Sequence, residues 1–323
     1  MRYADDIRFS VNVLADADRY YDVSPLYESK DSLISYTRDK NGFRGSYGKI
    51  EDIDILAVGG STTDQRYIDN KEEWCHVLEQ NIRSAGLDLT VVNAGVDGQS
   101  TYGHIKDFDL WFSKMESLRP QYVMFYVGLN DFYKDDDYSY DDLEQRSIFK
   151  SSFTYYVYRL IKGLAYAKTY RMGHHRYDIH ATTLTTKPLL AENAYKPLMQ
   201  KRLAAYERRL DVLLEKTKEI GATPIFVTQT RRMHWLENGQ VVGIDVRYGY
   251  DGVTYNGVDM HYMEKLLNET TMSVCKKQKD AICVDLASEV EFTHEDFYDF
   301  AHNTPSGAAK IGEYLADKVR LLY

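Results

Sequence analysis

This chain has little of several residue types and patterns, and each shortage excludes a class of protein. Three cysteines among 323 residues are too few for the disulfide framework of a small secreted domain. The 40 Lys and Arg are outnumbered by 49 Asp and Glu, so with a formal net charge of -9 we expect no general nucleic-acid surface. No apolar stretch approaches the roughly 20 residues that span a bilayer, so we expect no membrane association for the chain as given.

The cysteines and the first residues bear on the cellular compartment. Cys75, Cys275 and Cys283 form neither a disulfide framework nor a metal motif, and their odd count leaves at least one free thiol within a single chain. This mildly favours a reducing compartment. The start, MRYADDIRFS, is no signal peptide, so the sequence as given predicts the cytoplasm. If an N-terminal signal or anchor was removed, we expect a periplasmic or extracytoplasmic protein instead.

Five short apolar runs have the length and hydrophobicity of strands that are buried on both faces. The runs are IDILAVGG, LTVVNAG, QYVMFYVGLND, TPIFVTQT and AICVDLA. Helical stripes separate them, over residues 74–85, 102–118 and 203–220, and a last helix is predicted to start at the N-cap Thr304. Strands that alternate with helices predict an α/β fold, a flavodoxin-like three-layer α/β/α sandwich around a five-stranded, mostly parallel sheet.

The composition and the alternation of strands and helices predict three parts of the chain. Residues 1–50 are polar and tyrosine-rich, and we interpret them as an N-terminal extension that packs on the main domain. Residues 51–323 form that domain. Residues 133–193 interrupt its alternation, so we interpret them as an insertion with at least one helix.

Polar residues follow the strands where ligands bind in open parallel sheets, beyond the carboxyl ends. Ser61 follows the first run in GGSTTD, Gly98 follows the second in NAGVDGQS, and Asn130 follows the third in GLND. Near the C-terminus, DFAH places Asp299 three residues before His302. A phosphate-binding turn at Ser61 is the main alternative, but that stretch lacks the lysine of a P-loop and the third glycine of a dinucleotide fingerprint.

These four blocks, in this order, resemble those of the SGNH (GDSL-type) hydrolases, from about Asp52 to the C-terminus. The resemblance implies the SGNH hydrolase fold and a serine esterase. It makes Ser61 the nucleophile, with His302 as its base and Asp299 orienting that base. It assigns the oxyanion hole to the amides of Ser61 and Gly98 and the side chain of Asn130. One departure is visible: a glycine stands at position 60, where the family has an acidic residue.

The function that follows is hydrolysis of small acyl esters, O-acetyl esters above all, on a carbohydrate through an acyl-enzyme. One alternative is an O-acyltransferase with the same triad, in which a sugar hydroxyl replaces water. Another is a non-catalytic carbohydrate-binding protein. We expect no cofactor and no metal, and a small-molecule or carbohydrate ester as the binding partner.

Three further features have an open or minor role. The histidines of HHRYDIH (His174, His175 and His180) match no standard zinc spacing, and we interpret them as solvated loop residues. The acidic KDDDYSYDD lacks the pattern of a calcium loop. Arg231 and Arg232, after the fourth run, either grip an anionic substrate group or pair with the acidic insertion.

Overall fold

A computed structural model describes residues 17–134, 174–250 and 252–323. Its strands are β1 (Ala17–Asp22), β2 (Leu33–Arg38), β3 (Ile55–Gly59), β4 (Val91–Asn93), β5 (Tyr122–Tyr126), β6 (Leu184–Thr185), β7 (Thr223–Val227), β8 (His234–Glu237), β9 (Gln240–Ile244), β10 (Tyr248–Tyr250), β11 (Val253–Tyr255) and β12 (Ile282–Val284). Its α-helices are α1 (Ser61–Asp64), α2 (Trp74–Ser84), α3 (Thr101–Leu110), α4 (Tyr195–Glu219), α5 (Gly257–Lys276), α6 (Leu286–Glu289) and α7 (Pro305–Arg320).

A five-stranded parallel sheet forms the centre of the molecule, in the order β12-β7-β5-β3-β4. Counted along the chain, the five strands are ordered 2-1-3-4-5, the flavodoxin-like arrangement. All five apolar runs of the sequence are strands of this sheet. The predicted fold class is confirmed, and the carboxyl ends of the strands share one edge, where the site residues lie.

Helices cover both faces of the sheet, because alternate side chains of each strand point to opposite sides. On one face, Ile55 and Met124 pack with residues of α2 and α7, among them Trp74 and Leu315. On the other face, aromatic and aliphatic side chains of β3, β5 and β7 pack against α3, α4 and α5. One buried cluster lies on each face of the sheet, between the strands and the helices, so the sheet and the two helical layers form the three-layer sandwich.

Three helices differ from the sequence prediction, and one of them is α4, which begins at Tyr195 rather than at residue 203. The second helical stripe was predicted to run to residue 118, but α3 ends at Leu110 and a 3-10 turn follows at Phe112–Lys114. The indole of Trp111 donates to the Asn41 carbonyl and stacks on Phe43, which ties the chain to the N-terminal segment at that point. The helix α5 has no counterpart among the predicted helical stripes, although Asn256 caps it with a capping box.

Cys275 and Cys283 form a disulfide that joins the end of α5 to β12. The cysteine spacing did not predict this pairing, since only the fold brings the two residues together. Cys75 is a free, buried thiol. With two of the three cysteines paired, the cysteine count no longer argues for a reducing compartment.

The segments outside the sandwich contribute small sheets. The β1–β2 hairpin belongs to residues 17–50, and β6 pairs with β9 in a three-stranded antiparallel sheet. The acidic KDDDYSYDD and the helix expected within 133–193 lie almost wholly outside the described residues. The division into extension, hydrolase domain and insertion stays a prediction. Among the helices described, none has the length and hydropathy to cross a membrane.

Candidate active site

Ser61 lies at the first position of α1, after Gly59, which ends β3, and Gly60, which is the N-cap of the helix. The second glycine is required by close contacts: a Cβ at Gly60 would lie 2.7 Å from Asn130 Nδ2 and 3.1 Å from the Gln99 carbonyl oxygen. The chain therefore passes from a buried strand to a short helix without a side chain between Ser61 and Asn130.

His302 and Asp299 complete a hydrogen-bonded chain with this serine. The distance from His302 Nε2 to Ser61 Oγ is 2.7 Å, and the distance from His302 Nδ1 to Asp299 Oδ2 is also 2.7 Å. The imidazole can thus receive the hydroxyl proton on one nitrogen while its other N–H donates to the carboxylate. The loop before α7 brings Asp299 and His302 to a serine that lies 241 residues before His302 in the sequence.

Asp299 is held as a carboxylate. Burial alone would raise its pKa, but the charge and hydrogen bond of His302, with the Ala301 and His302 amides, hold the pKa of Asp299 below its usual value. Those two amides donate to Oδ1 at 2.8 and 2.7 Å. The carboxylate is therefore in place to accept the Nδ1–H hydrogen bond that orients the imidazole.

Asn130 opens a 3-10 turn (Asn130–Tyr133) at the end of β5, and its Nδ2 donates to the Gln99 carbonyl at 2.8 Å. Gly98 precedes Gln99 in the loop after β4, with φ +75°, a left-handed conformation that favours glycine. The loop that holds Gly98 and the turn that begins at Asn130 therefore meet beside Gly60.

A small cavity of about 70 Å³ opens at this point. Ser61, Asn130 and His302 line it together with Leu129, Tyr133, Gln229 and Arg231. Gly98 and Asp299 do not line the cavity. Gln99, which follows Gly98 in the sequence, and His302, which is hydrogen-bonded to Asp299, do line it. The cavity is therefore continuous with the proposed nucleophile and bounded by both aromatic and charged groups.

The two arginines after β7, Arg231 and Arg232, have different partners. Arg231 is buried at the cavity, where its guanidinium donates to the Leu129 carbonyl and, at 3.3 Å, to Tyr133 Oη. Its Nε lies 3.8 Å from a Glu264 carboxylate oxygen. Arg232 instead donates to His294 Nδ1 at 2.9 Å. Only the first of the pair faces the site.

Gln229 was missed in the sequence, although it stands in TQTRR at the end of β7. Its Nε2 donates to Thr62 Oγ1 at 2.9 Å and to the Tyr126 carbonyl at 3.1 Å, and its Oε1 accepts from the Leu129 amide at 3.0 Å. One side chain thus joins the serine helix to the end of β5. A polar residue at a strand end was the only signal for it.

A buried charge network beneath α1 was also missed. Asp64, the last residue of α1, accepts from Arg38 Nη2 at 2.6 Å and from Tyr36 Oη at 2.8 Å. Arg44 donates to the Asp64 and Gln65 carbonyls. The β1–β2 hairpin and the residues after it therefore anchor the helix that begins with Ser61.

His174 is not a solvated loop residue, which corrects the sequence interpretation. Its ring centroid lies 4.1 Å from that of His302, and its Nδ1 lies 2.6 Å from Tyr298 Oη. His175 and His180 are exposed, as expected. The three histidines of HHRYDIH therefore do not converge.

Among the described residues, one group of possible metal ligands includes two members of the proposed triad, Asp299 and His302. His174, Asp299 and His302 each offer a ligand atom within 4.8 Å of the others. Both ring nitrogens of His302 are already engaged, by Asp299 and by Ser61. A metal ion bound at His302 would have to displace one of these partners, so the hydrogen-bonded chain accounts for the arrangement better.

Three histidines make stability depend on pH. The pKa of each of these histidines, His174, His261 and His294, is lowered to about 4, chiefly by burial. A nearby positive charge is the second cause in each case: His302 acts on His174, His234 on His261, and Arg232 on His294. Unfolding returns each pKa to the ordinary value near 6.5. Between those two values the unfolded chain binds more protons, so the stability that these groups provide at neutral pH is lost as the pH falls from about 6.5 towards 4.

We therefore expect the free energy of unfolding in urea to be lower at pH 5 than at pH 7.5. His261→Asn should flatten this slope, whereas the exposed His175→Asn should keep it. A slope that His261→Asn leaves unchanged would contradict the assignment.

Known proteins resemble this chain at the level of family and fold. The family model described as GDSL-like lipase/acylhydrolase matches residues 55–315, from β3 into α7. The chain belongs to the GDSL-like lipase/acylhydrolase family and is an ester-hydrolysing serine hydrolase. No curated protein sequence matches it.

Solved structures of similar fold share little sequence with this chain. TesA is 14% identical, with 83% of this chain and 99% of that one covered and a TM-score of 0.46. LAE5, an α/β hydrolase from the metagenome of Lake Arreo in Spain, is 14% identical (85% and 100% covered, TM-score 0.47). A catalytic mutant of Axe2, an acetylxylan esterase from Geobacillus stearothermophilus, is 12% identical (83% and 94% covered, TM-score 0.46).

Proposed function

We propose that this chain hydrolyses short-chain O-acyl esters, acetyl esters above all, on a carbohydrate through an acyl-enzyme at Ser61. The observation that carries the proposal is the continuous chain of 2.7 Å hydrogen bonds from Ser61 through His302 to Asp299. A serine hydroxyl is a weak nucleophile until a positioned base takes its proton, and this chain supplies that base.

Acylation begins when Ser61 Oγ attacks the ester carbonyl and its proton passes to His302 Nε2. The carbonyl π electrons move to oxygen, which gives a tetrahedral oxyanion. When the bond to the alcohol breaks, His302 returns its proton to the leaving oxygen, and the acyl group stays on Ser61. Asp299 stabilises the imidazolium in between. Water then repeats the sequence on the acyl-enzyme and releases the acid.

The oxyanion needs donors that are in place before the reaction. We assign this role to the amides of Ser61 and Gly98 and to Asn130 Nδ2. The left-handed backbone at Gly98 and the bond from Asn130 to the Gln99 carbonyl support the assignment, because both hold the two loops at one place. Donors of this kind act on charge that develops only in the transition state.

The size of the cavity favours a short acyl group. The cavity beside Ser61 has a volume of about 70 Å³ and is lined by Tyr133 and the buried cation of Arg231. A long alkyl chain would bind poorly there, because the space is small and the charged group is not a favourable neighbour for methylene groups. Tyr133 is also partly exposed at the cavity and offers a flat surface of the kind that packs against sugars. These features support a small acyl group on a carbohydrate.

We expect p-nitrophenyl acetate to be hydrolysed about tenfold or more faster than the octanoate, measured as kcat/KM, because forcing extra methylenes into a packed site is costly. Acetylated oligosaccharides should release acetate under the same conditions. Octanoate turned over faster than acetate would contradict the small-acyl assignment. Acetyl transfer to an added sugar that outpaces hydrolysis would favour the acyltransferase alternative.

A further inference from the structure

His174 lies beside His302 but is not a member of the proposed triad. It follows the segment outside the described residues and is half-buried, while the next residue, His175, is exposed. Its ring is inclined at 43° to that of His302, with 4.1 Å between the centroids. The edge of Tyr67 meets it from another side at 4.8 Å.

Hydrogen bonding fixes this ring in place. His174 Nδ1 and Tyr298 Oη are 2.6 Å apart, and burial raises the pKa of Tyr298 well above its ordinary value, so the phenol keeps its proton. The Tyr298 ring lies almost parallel to His302, at 12° and 5.7 Å. His174 and Tyr298 thus form a joined pair of rings beside the imidazole of His302.

We propose that His174 is a positioning residue for the base: its ring holds the imidazole of His302 in the orientation that receives the Ser61 proton and keeps water from its face. The inference rests on the proposed role of His302. Ser61 and Asp299 hold only the edge of that imidazole, through its two nitrogens. A neighbour against the ring itself restricts the rotation that would break both bonds.

The charge of His174 is compatible with this role. Burial and the neighbouring His302 lower the pKa of His174 to about 4, so it is neutral while the enzyme works. A neutral ring does not repel the imidazolium that forms at His302 during turnover. Among the described residues, the titratable and charged side chains that face His174 are Arg66, Tyr67, Asp97, Tyr298, Asp299 and His302.

The test compares His174→Ala and His174→Phe with the neighbouring control His175→Ala. We expect His174→Ala to lower kcat on p-nitrophenyl acetate about tenfold with KM little changed, since a displaced catalytic group costs turnover rather than binding. The rate at which a phosphonate probe labels Ser61 should fall in parallel. His174→Phe, which restores a flat ring, should recover most of both rates, and His175→Ala should match the wild type.

The pH profile separates positioning from a general effect on the fold. Water that reaches His302 in His174→Ala favours the imidazolium, so the acid limb of kcat/KM should move to higher pH. His174→Phe should keep the wild-type limb.

Three results would overturn the inference. They are equal kinetics and pH profiles for His174→Ala and His175→Ala, no recovery in His174→Phe, and a loss that is uniform in pH and follows a lower melting temperature. A wild-type protein that neither hydrolyses esters nor labels at Ser61 would instead refute the proposed function.

Discussion

Ser61→Ala abolishes ester hydrolysis, lowering kcat by about 100,000-fold or more, and leaves the free energy of unfolding near the wild-type value. Removal of a nucleophile from a hydrogen-bonded triad has an effect of this size because the covalent route is lost altogether. The fold should survive because the Ser61 side chain is partly exposed and α1 is anchored elsewhere, by Asp64 and Arg38. Esterase assays and urea unfolding on the same preparation check both halves.

The matched control is Ser84→Ala, an exposed serine at the end of α2, which should keep full activity. A phosphonate probe should label the wild type at Ser61, as read by peptide mass spectrometry. In the double variant with His302→Ala, little further activity should be lost, since groups that act as one unit are not additive. Probe attached to another serine, with Ser61 untouched, would refute the assignment.

Gly60→Asp, which restores the acidic residue that the family carries, is expected to lower kcat by about 100-fold or more. The reason is steric: in this chain the new Cβ would lie 2.7 Å from Asn130 Nδ2, the proposed oxyanion donor, and 3.1 Å from the Gln99 carbonyl oxygen, so Asn130 would have to move. Asn130→Ala should cost about 100- to 1,000-fold, the usual effect of losing one such donor.

A double-mutant cycle shows whether the two changes act through the same donor. The combined variant should be little worse than the worse single one, because Asn130 can be lost only once. Gly249→Asp is the control, since a Cβ at that glycine would meet no atom within 4 Å. Full activity in Gly60→Asp, or losses that multiply in the double variant, would contradict the prediction.

Local patterns in the sequence were sufficient for the sheet and for the order of the site blocks. A strand buried on both faces must be apolar throughout, so the five runs could be read directly as strands. The last helix was equally plain, because Thr304 as N-cap and Pro305 at the first position satisfy the local rules of a helix start. These signals lie within a few residues of one another, and no tertiary contact is needed to produce them.

The helix α5 shows where local patterns were insufficient. Several of its buried positions are polar, among them Asp259, Glu264 and Thr271, so its apolar stripe is interrupted. The helix is stabilised chiefly by burial of Met263 and Leu267 against the sheet, and that burial belongs to the tertiary structure.

What the sequence by itself determined is the fold class, the family resemblance and five residues that bear the proposed chemistry. The tertiary structure alone decided which distant groups support them: the Cys275–Cys283 disulfide, the contact of Arg38 with Asp64, and the packing of His174 on His302. His174 and His175 are adjacent and chemically identical, yet only one contacts the base. Sequence patterns report the neighbours of a residue along the chain, whereas the direction of a buried side chain is set by the surfaces that pack around it.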